Sequence, residues 1–281
     1  MMNNISWEAA ISNRRSVRSY EMHDVEEKTL SGLRNFASEM RVPFDHDVEV
    51  RFFKAMPDRR LYNNLKVTPR DGVAFIADTD NISISKAGFA GEMIILYATV
   101  LGLATCWFGH YSPAELEHIM PHLGEHASQP LPKWGYGNGT VPGRRAICIS
   151  PLGYRRDEGI RLMDRMQVSF MSYKRKPLGS LLEGGISEDR ISPEIRYALD
   201  LARKAPSAAN SQHWRFMVSD DCKTVSIAKP VGYKHIKWEH PDVDIGICAC
   251  HFWLGLLTKG IGCRVSLSEE HGRAMWRFKI V

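Results

Sequence analysis

Residues 205–216 read Ala-Pro-Ser-Ala-Ala-Asn-Ser-Gln-His-Trp-Arg-Phe and lie between a helical run and an apolar one. A helix that halts there exposes small polar groups. Ser207, Asn210, Ser211 and Gln212 supply hydroxyl and amide donors and acceptors within six residues, while Pro206, Ala208 and Ala209 keep bulk away. Such a surface suits a flat ligand with polar edges. An ordinary helix-to-strand turn that uses Ser and Asn as local caps accounts for the same residues.

Near the N-terminus stands Arg14-Arg15-Ser16-Val17-Arg18. Three guanidiniums and a hydroxyl in five residues match what a phosphate requires, because arginine offers a planar fork of donors and stays charged. Alone, the cluster also fits a solvated basic face ahead of a helix beginning near Val25.

Together the two stretches resemble the FMN-dependent nitroreductase family, which carries an Arg-Arg-Ser-x-Arg phosphate motif and a Pro-Ser-x-x-Asn-x-Gln-x-Trp segment. Gly102-Leu-Ala-Thr-Cys-Trp-Phe-Gly109 is similar to the family's segment beside the flavin ring, and Lys174-Arg175-Lys176-Pro177-Leu178 to its late basic segment. One feature departs from the usual pattern. In most members the Pro-Ser-x-x-Asn segment follows the arginines closely, whereas here residues 19–204 intervene. The match is therefore to the branch in which two family-like halves share one chain.

The 281 residues can bury a substantial core, and 44% hydrophobic with 25% charged residues is an ordinary globular composition. A net charge of +5 comes without a long basic block, which argues against a nucleic-acid arm. The first residues lack a signal-peptide layout and no apolar run approaches a membrane span, so a cytoplasmic protein without membrane contact is expected. Cys248 and Cys250, with His251 next to them, hint at a metal, but they sit in a helix-like run where i and i+2 face different ways, so buried thiols are expected there and not a metal site.

Along the chain, periodicity predicts helices over 6–12, 25–38, 86–101 and 113–120, with strands over 48–53, 72–78 and 145–152. Residues 124–143 read as an excursion and 153–192 as a linker carrying the late basic segment. Beyond it the order restarts: helix 193–204, turn, strands 215–218 and 224–228, helix 242–259 and a last strand 276–280. Leu30 to Phe53 parallels Ile195 to Val218, and Gly88 to Cys106 parallels Gly246 to Cys263. The expected fold is α+β, nitroreductase-like, with two pseudo-twofold-related α/β halves, 1–152 and 193–281.

The halves are unequal in a complementary way. The first has the arginines but no Pro-Ser-x-x-Asn turn, and the second has the turn but no arginine cluster. Since the resemblance implies a flavin shared between two subunits, a fused pair needs only one complete site: a single-chain pseudo-dimer, monomeric or weakly self-associating. The implied phosphate ligands are Arg14, Arg15, Ser16, Arg18 and Arg175, with Lys174 beside them. Ser207, Asn210 and Gln212 would meet the ribityl chain and ring edge, and backbone N–H groups of Phe108 and Gly109 would face N5. The implied reaction is ping-pong, NAD(P)H reducing FMN before a nitroaromatic, quinone or similar small electron acceptor takes the electrons. No catalytic side chain and no metal are assigned. Trp107, His110 and Tyr111 are candidate substrate contacts, Trp107 equally a core aromatic, and Glu92 is an unusual charge inside an apolar helix. Competing readings are another flavin reaction on the same scaffold, a non-catalytic flavin-binding or redox-sensing protein with Trp134 and Tyr136 covering the ring, and a nucleic-acid binder.

Overall fold

The computed structural model describes residues 5–56, 58–63, 65, 67–121, 135–136, 143–156, 174–235 and 238–281. Its first helix, α1 (Trp7–Asn13), starts where the Ser6 hydroxyl accepts the Ala9 N–H at 3.4 Å. Helix α2 (Glu27–Glu39) buries Leu30, Leu33 and Phe36, the stripe expected from helical spacing. Strands β1 (Glu49–Lys54) and β2 (Asp71–Asp78) pair antiparallel. Helix α3 (Asn81–Val100) begins five residues ahead of the predicted Lys86, because the Asp80 carboxylate caps the N–H groups of Ile82 and Ser83. It is buried on nearly all sides, so no amphipathic stripe marks its first turn. Then follow β3 (Ala104–Thr105), β4 (His110–Tyr111), α4 (Pro113–Ile119), β5 (Gly135–Tyr136) and β6 (Arg144–Gly153). Ser112 caps α4 by accepting the Glu115 N–H at 3.3 Å.

The second half holds β7 (Leu182–Glu183), α5 (Pro193–Ala202), β8 (Arg215–Val218), β9 (Thr224–Ala228), α6 (Asp242–Thr258), β10 (Cys263–Glu269) and β11 (Ala274–Ile280). β10 is absent from the sequence expectation. It is an outer strand whose residues are all at least partly exposed, so its alternation of Val265 and Leu267 with polar residues lacks a strong apolar run. β7 runs parallel to β8, so the second sheet reaches back to Leu182, into the stretch read as linker. The excursion's Trp134 lies outside the described residues, as does most of 124–143.

Two sheets repeat one order. The first runs β1-β2-β6-β3, and the second, read from its β8 side, runs β8-β9-β11-β10 with β7 added at the edge. Between the sheets α3 packs on α6, and α1 touches both. The crossing is reciprocal. A Cβ on Gly88 would stand 2.9 Å from the Val243 carbonyl carbon, and one on Gly246 would stand 2.8 Å from that of Ser85. Each glycine thus admits the backbone of the residue three positions before the other, the signature of a twofold contact between equivalent surfaces. Pairing Gly88 with Gly246 is the register read from the duplication. One hydrophobic core spans both halves, joining Leu33, Phe36 and Phe75 to Phe252, Trp276 and Phe278.

Candidate functional site

The 205–216 turn begins where α5 ends. Ala209, Asn210 and Gln212 all adopt the left-handed region, with φ of 49°, 55° and 46°. Asn tolerates it, while Ala and Gln do so at roughly 1 kcal/mol each, and such strain collects where surrounding structure and function demand it. Several contacts hold the turn. Asp244, in the first turn of α6, accepts the Ala208 N–H at 2.9 Å, and the Ser207 hydroxyl accepts the Gln212 N–H at 3.0 Å. Burial pushes the Asp244 carboxyl up to about 8. His213 donates Nε2–H to the Pro241 carbonyl at 3.0 Å, so its Nδ1 accepts the Ser211 hydroxyl at 2.9 Å, and the Tyr233 ring stacks on it at 4.4 Å. Burial brings the His213 imidazole down to about 4.

The late basic segment is tied to this turn. Gln212 accepts the Lys176 N–H at 2.8 Å and donates to the Lys174 carbonyl at 3.0 Å. It is only 2% exposed, and its amide braces 174–176 against the turn, which gives it a different role from the ring-edge contact expected. Arg175 donates to the Asn210 side-chain oxygen and to the Lys204 carbonyl, the latter at 2.9 Å. The Lys174 contribution is its carbonyl, which also accepts from Asn210 Nδ2 at 3.3 Å.

The front of the chain meets this assembly. Arg14 is the residue after α1 and is buried; its Nη1 donates to the Ser16 hydroxyl at 3.4 Å. Arg15 is exposed and bonds the Ser12 carbonyl at 2.6 Å, while Lys204 reaches back to the Ser12 hydroxyl at 3.4 Å. Arg175 is lowered to about 10, chiefly by burial and further by the like charges of Arg14, Arg15 and Arg203. Lys204 joins the two segments, its amine reaching Ser12 while its carbonyl receives Arg175, so the guanidiniums of the front of the chain and of the late basic segment lie on one side of the junction. The donor set suits a phosphate monoester, whose two negative charges would offset these cations. Arg18 lies on the side of Cys106 and Tyr20, both of which feel its charge.

The arginine motif also runs along the turn at 102–109. Ser16 bridges Thr105, and Val17 N–H bonds the Thr105 carbonyl at 2.9 Å. Phe108 exchanges two backbone hydrogen bonds with Ile149, at 2.8 and 2.9 Å, so its N–H is already committed and cannot serve as the expected ring donor. A Cβ on Gly109 would overlap the Trp238 ring, with Cε3 at 2.8 Å, so Trp238 of the second half covers this turn. Trp107 packs on Phe75 at 4.9 Å and donates its indole N–H to Glu92 at 2.7 Å; it is held as a core aromatic. Neighbouring His110 is half-buried and bonded to the Asn63 amide, whereas the buried Tyr111 hydroxyl donates to the Ala146 carbonyl at 2.5 Å. Asp244 and Trp238 belong to no motif in the sequence, and His251 stands out there only as the neighbour of the Cys248–Cys250 pair. They lie far from the motifs they support, and only folding brings them there.

Two like-ordered sheets around a reciprocal helix pair, with cations gathered across their junction, define a nitroreductase fold of two repeated halves. Comparison with known families gives the same class: the family described as "Putative TM nitroreductase" matches residues 7–123 and 138–256, and the chain belongs to this family of oxidoreductases. Among solved structures, a protein described as a putative nitroreductase of Thermotoga maritima is 20% identical over 98% of this chain and 94% of its own, with a TM-score of 0.59. NfrA2 of B. megaterium is 16% identical over 70% of this chain and 81% of its own, TM-score 0.43. An FMN-dependent nitroreductase of Clostridium difficile is 24% identical over 53% of this chain and 87% of its own, TM-score 0.34. No curated protein matches the chain. Among the described residues, no helix is long and apolar enough to cross a membrane.

Proposed function

We propose that the chain is an FMN-dependent NAD(P)H oxidoreductase of nitroreductase type, holding one cofactor per chain across the junction of its halves. The observation that carries this reading is the junction of the arginine motif with the late basic segment and the polar turn: Lys204 reaches Ser12 at 3.4 Å while Arg175 donates to the Lys204 carbonyl at 2.9 Å and to Asn210, a gathering of cations that a dianion would offset. Arg14, Arg15, Ser16 and Arg175 bind the phosphate, with Arg18 adding charge from the Cys106 side. Ser207 and Asn210 orient the ribityl chain, and Gln212 keeps Arg175's segment in place. The Phe108–Gly109 turn would meet the ring edge, with the Gly109 N–H as its donor. When bound, FMN would supply the redox chemistry between reduced nicotinamide and a nitroaromatic, quinone or similar acceptor. The left-handed turn at 209–212 is the strained, preorganised part of the cradle. No side chain of the cradle is required as a general acid or base, so the chain's work is to anchor, orient and leave one ring face open to two substrates in turn. The chain is a monomeric pseudo-dimer in this reading.

Rapid mixing of the flavin-loaded protein with NADH or NADPH tests it. The reading requires fast loss of flavin absorbance near about 450 nm, recovered on adding an acceptor. Slow or absent loss favours a flavin-binding protein without turnover.

A further inference from the structure

We propose that Glu92 and His251 are positioning residues for the phosphate clamp: a buried dyad, one residue from each half, that fixes the guanidinium of Arg14. The inference rests on the FMN reading above and adds to it two residues outside the cradle.

Glu92 and His251 are both 0% exposed, in α3 and α6 respectively. One carboxylate oxygen, Oε1, stands 2.8 Å from His251 Nε2 and 3.8 Å from Arg14 Nε; the other accepts the Trp107 indole N–H at 2.7 Å. His251 Nδ1 lies 3.2 Å from the Leu201 carbonyl, in the last turn of α5, three residues before the Lys204 carbonyl that receives Arg175. An acidic group buried in a largely apolar helix is costly unless each of its oxygens is partnered, and here each is. The partners are telling. They are one cation of the clamp, one aromatic of the 102–109 turn and one imidazole of the opposite half, so Glu92 is the point at which three parts of the site meet.

Hydrogen-bond accounting fixes the charge of the dyad. The Leu201 carbonyl only accepts, so Nδ1 carries a proton, and a second proton must lie between Nε2 and Glu92 Oε1. Wherever that proton sits, the dyad is neutral as a whole while presenting an oxygen to Arg14. It therefore orients the guanidinium without adding net negative charge beside a phosphate. The arrangement is also one-sided. In the register that pairs Gly88 with Gly246, Cys250 occupies the place of Glu92 and Met93 that of His251, so the acid–imidazole pair is not repeated at the equivalent positions.

Glu92→Gln is the decisive variant. Its amide keeps an acceptor for Trp107 and a donor for a neutral His251, and the net charge is unchanged, but the atom facing Arg14 becomes an N–H group. Flavin-free protein is titrated with FMN and, in parallel, with riboflavin, which lacks the phosphate. The dyad predicts an FMN Kd raised about threefold to tenfold, the scale of one buried ion-pair contact at 3.8 Å, with riboflavin affinity changed by less than about twofold. In an Arg14→Lys background the Glu92→Gln effect on FMN should shrink below about twofold. An unchanged FMN Kd, an equal loss for both flavins, or a loss that persists in the Arg14→Lys background overturns the proposal. If Glu92→Gln does not fold, His251→Gln replaces it: it removes the imidazole that holds Glu92 Oε1, leaves that oxygen to Arg14 alone, and should shift FMN affinity at least about threefold while sparing riboflavin; an equal change for both flavins, or none, refutes the dyad. Wild-type protein that binds neither flavin refutes the functional reading and this inference together, whereas wild-type binding with an indifferent Glu92→Gln sinks only the dyad.

Discussion

Replacing Gly246 by Ala probes the helix crossing on which the whole arrangement turns. In an open helix the change would be favourable, by up to about 1 kcal/mol, because alanine loses less backbone entropy. Here the added methyl would meet the Ser85 carbonyl carbon at 2.8 Å and the Phe89 N at 2.9 Å, with the carbonyl oxygen closer still. Those atoms belong to helical backbone and cannot rotate away. To restore ordinary contact α3 and α6 must part by about 1 Å, a gap that forfeits a quarter to a half of each dispersion contact along the seam. Set against the propensity gain, a net loss of about 2–4 kcal/mol is expected, or a Tm lowered by roughly 5–15 °C in a chain of this size. Gly88→Ala should cost a similar amount, since its methyl would meet the Val243 carbonyl carbon at 2.9 Å. Once one methyl has parted the helices the second finds room, so the double variant should lose less than the two single losses combined. Gly32→Ala in α2 is the control: nothing lies within 4 Å of its Cβ, and it should hold or gain stability. Thermal unfolding of the four variants measures this. A Gly246→Ala protein with wild-type Tm, or strictly additive losses, would refute the reciprocal crossing.

Arg175→Ala should raise the FMN Kd by about tenfold to a hundredfold in a fluorescence titration, with little loss of Tm, because removing a repelled cation offsets the lost bonds to Asn210 and Lys204. Gly109→Ala should push Trp238 off the ring-edge turn and lower flavin occupancy, read as the absorbance ratio of the purified protein. Asp244 is raised from 3.8 to about 8 by burial, so the folded state binds more protons than the unfolded one between those values. Its contribution to stability is present at low pH and is lost as pH rises through about 8. Buried His213, lowered to about 4, works the opposite way only below its unfolded value of 6.5. Urea unfolding between pH 6.5 and 8.5 should therefore show a decline that Asp244→Asn flattens, and an identical slope in the variant would contradict it.

How much of this was legible in the sequence depends on range. The two long apolar helices, the strands around them and the duplication follow from local period and composition, and Gly88 with Gly246 gave the register that the crossing realises. The start of α3 was missed because its signal is the Asp80 cap and not an apolar stripe. β10 was missed because half its residues face solvent. In the site, the arginines and the polar turn were readable as motifs, but the turn's left-handed backbone and the uses of these residues were not. Gln212 braces backbone and the Phe108 N–H is consumed by Ile149, and both depend on segments distant in sequence. Glu92 was visible as an anomaly, yet its partner His251 stands 159 positions away.

The central claim is that one anion clamp and one polar turn, from opposite ends of the chain, share a single cofactor. Isothermal titration of flavin-free protein with FMN tests this most directly. The account predicts one FMN per chain, with binding abolished or sharply weakened by Arg14→Ala and by Asn210→Ala alike. Two FMN per chain, no binding, or a loss confined to one of the two variants would contradict it.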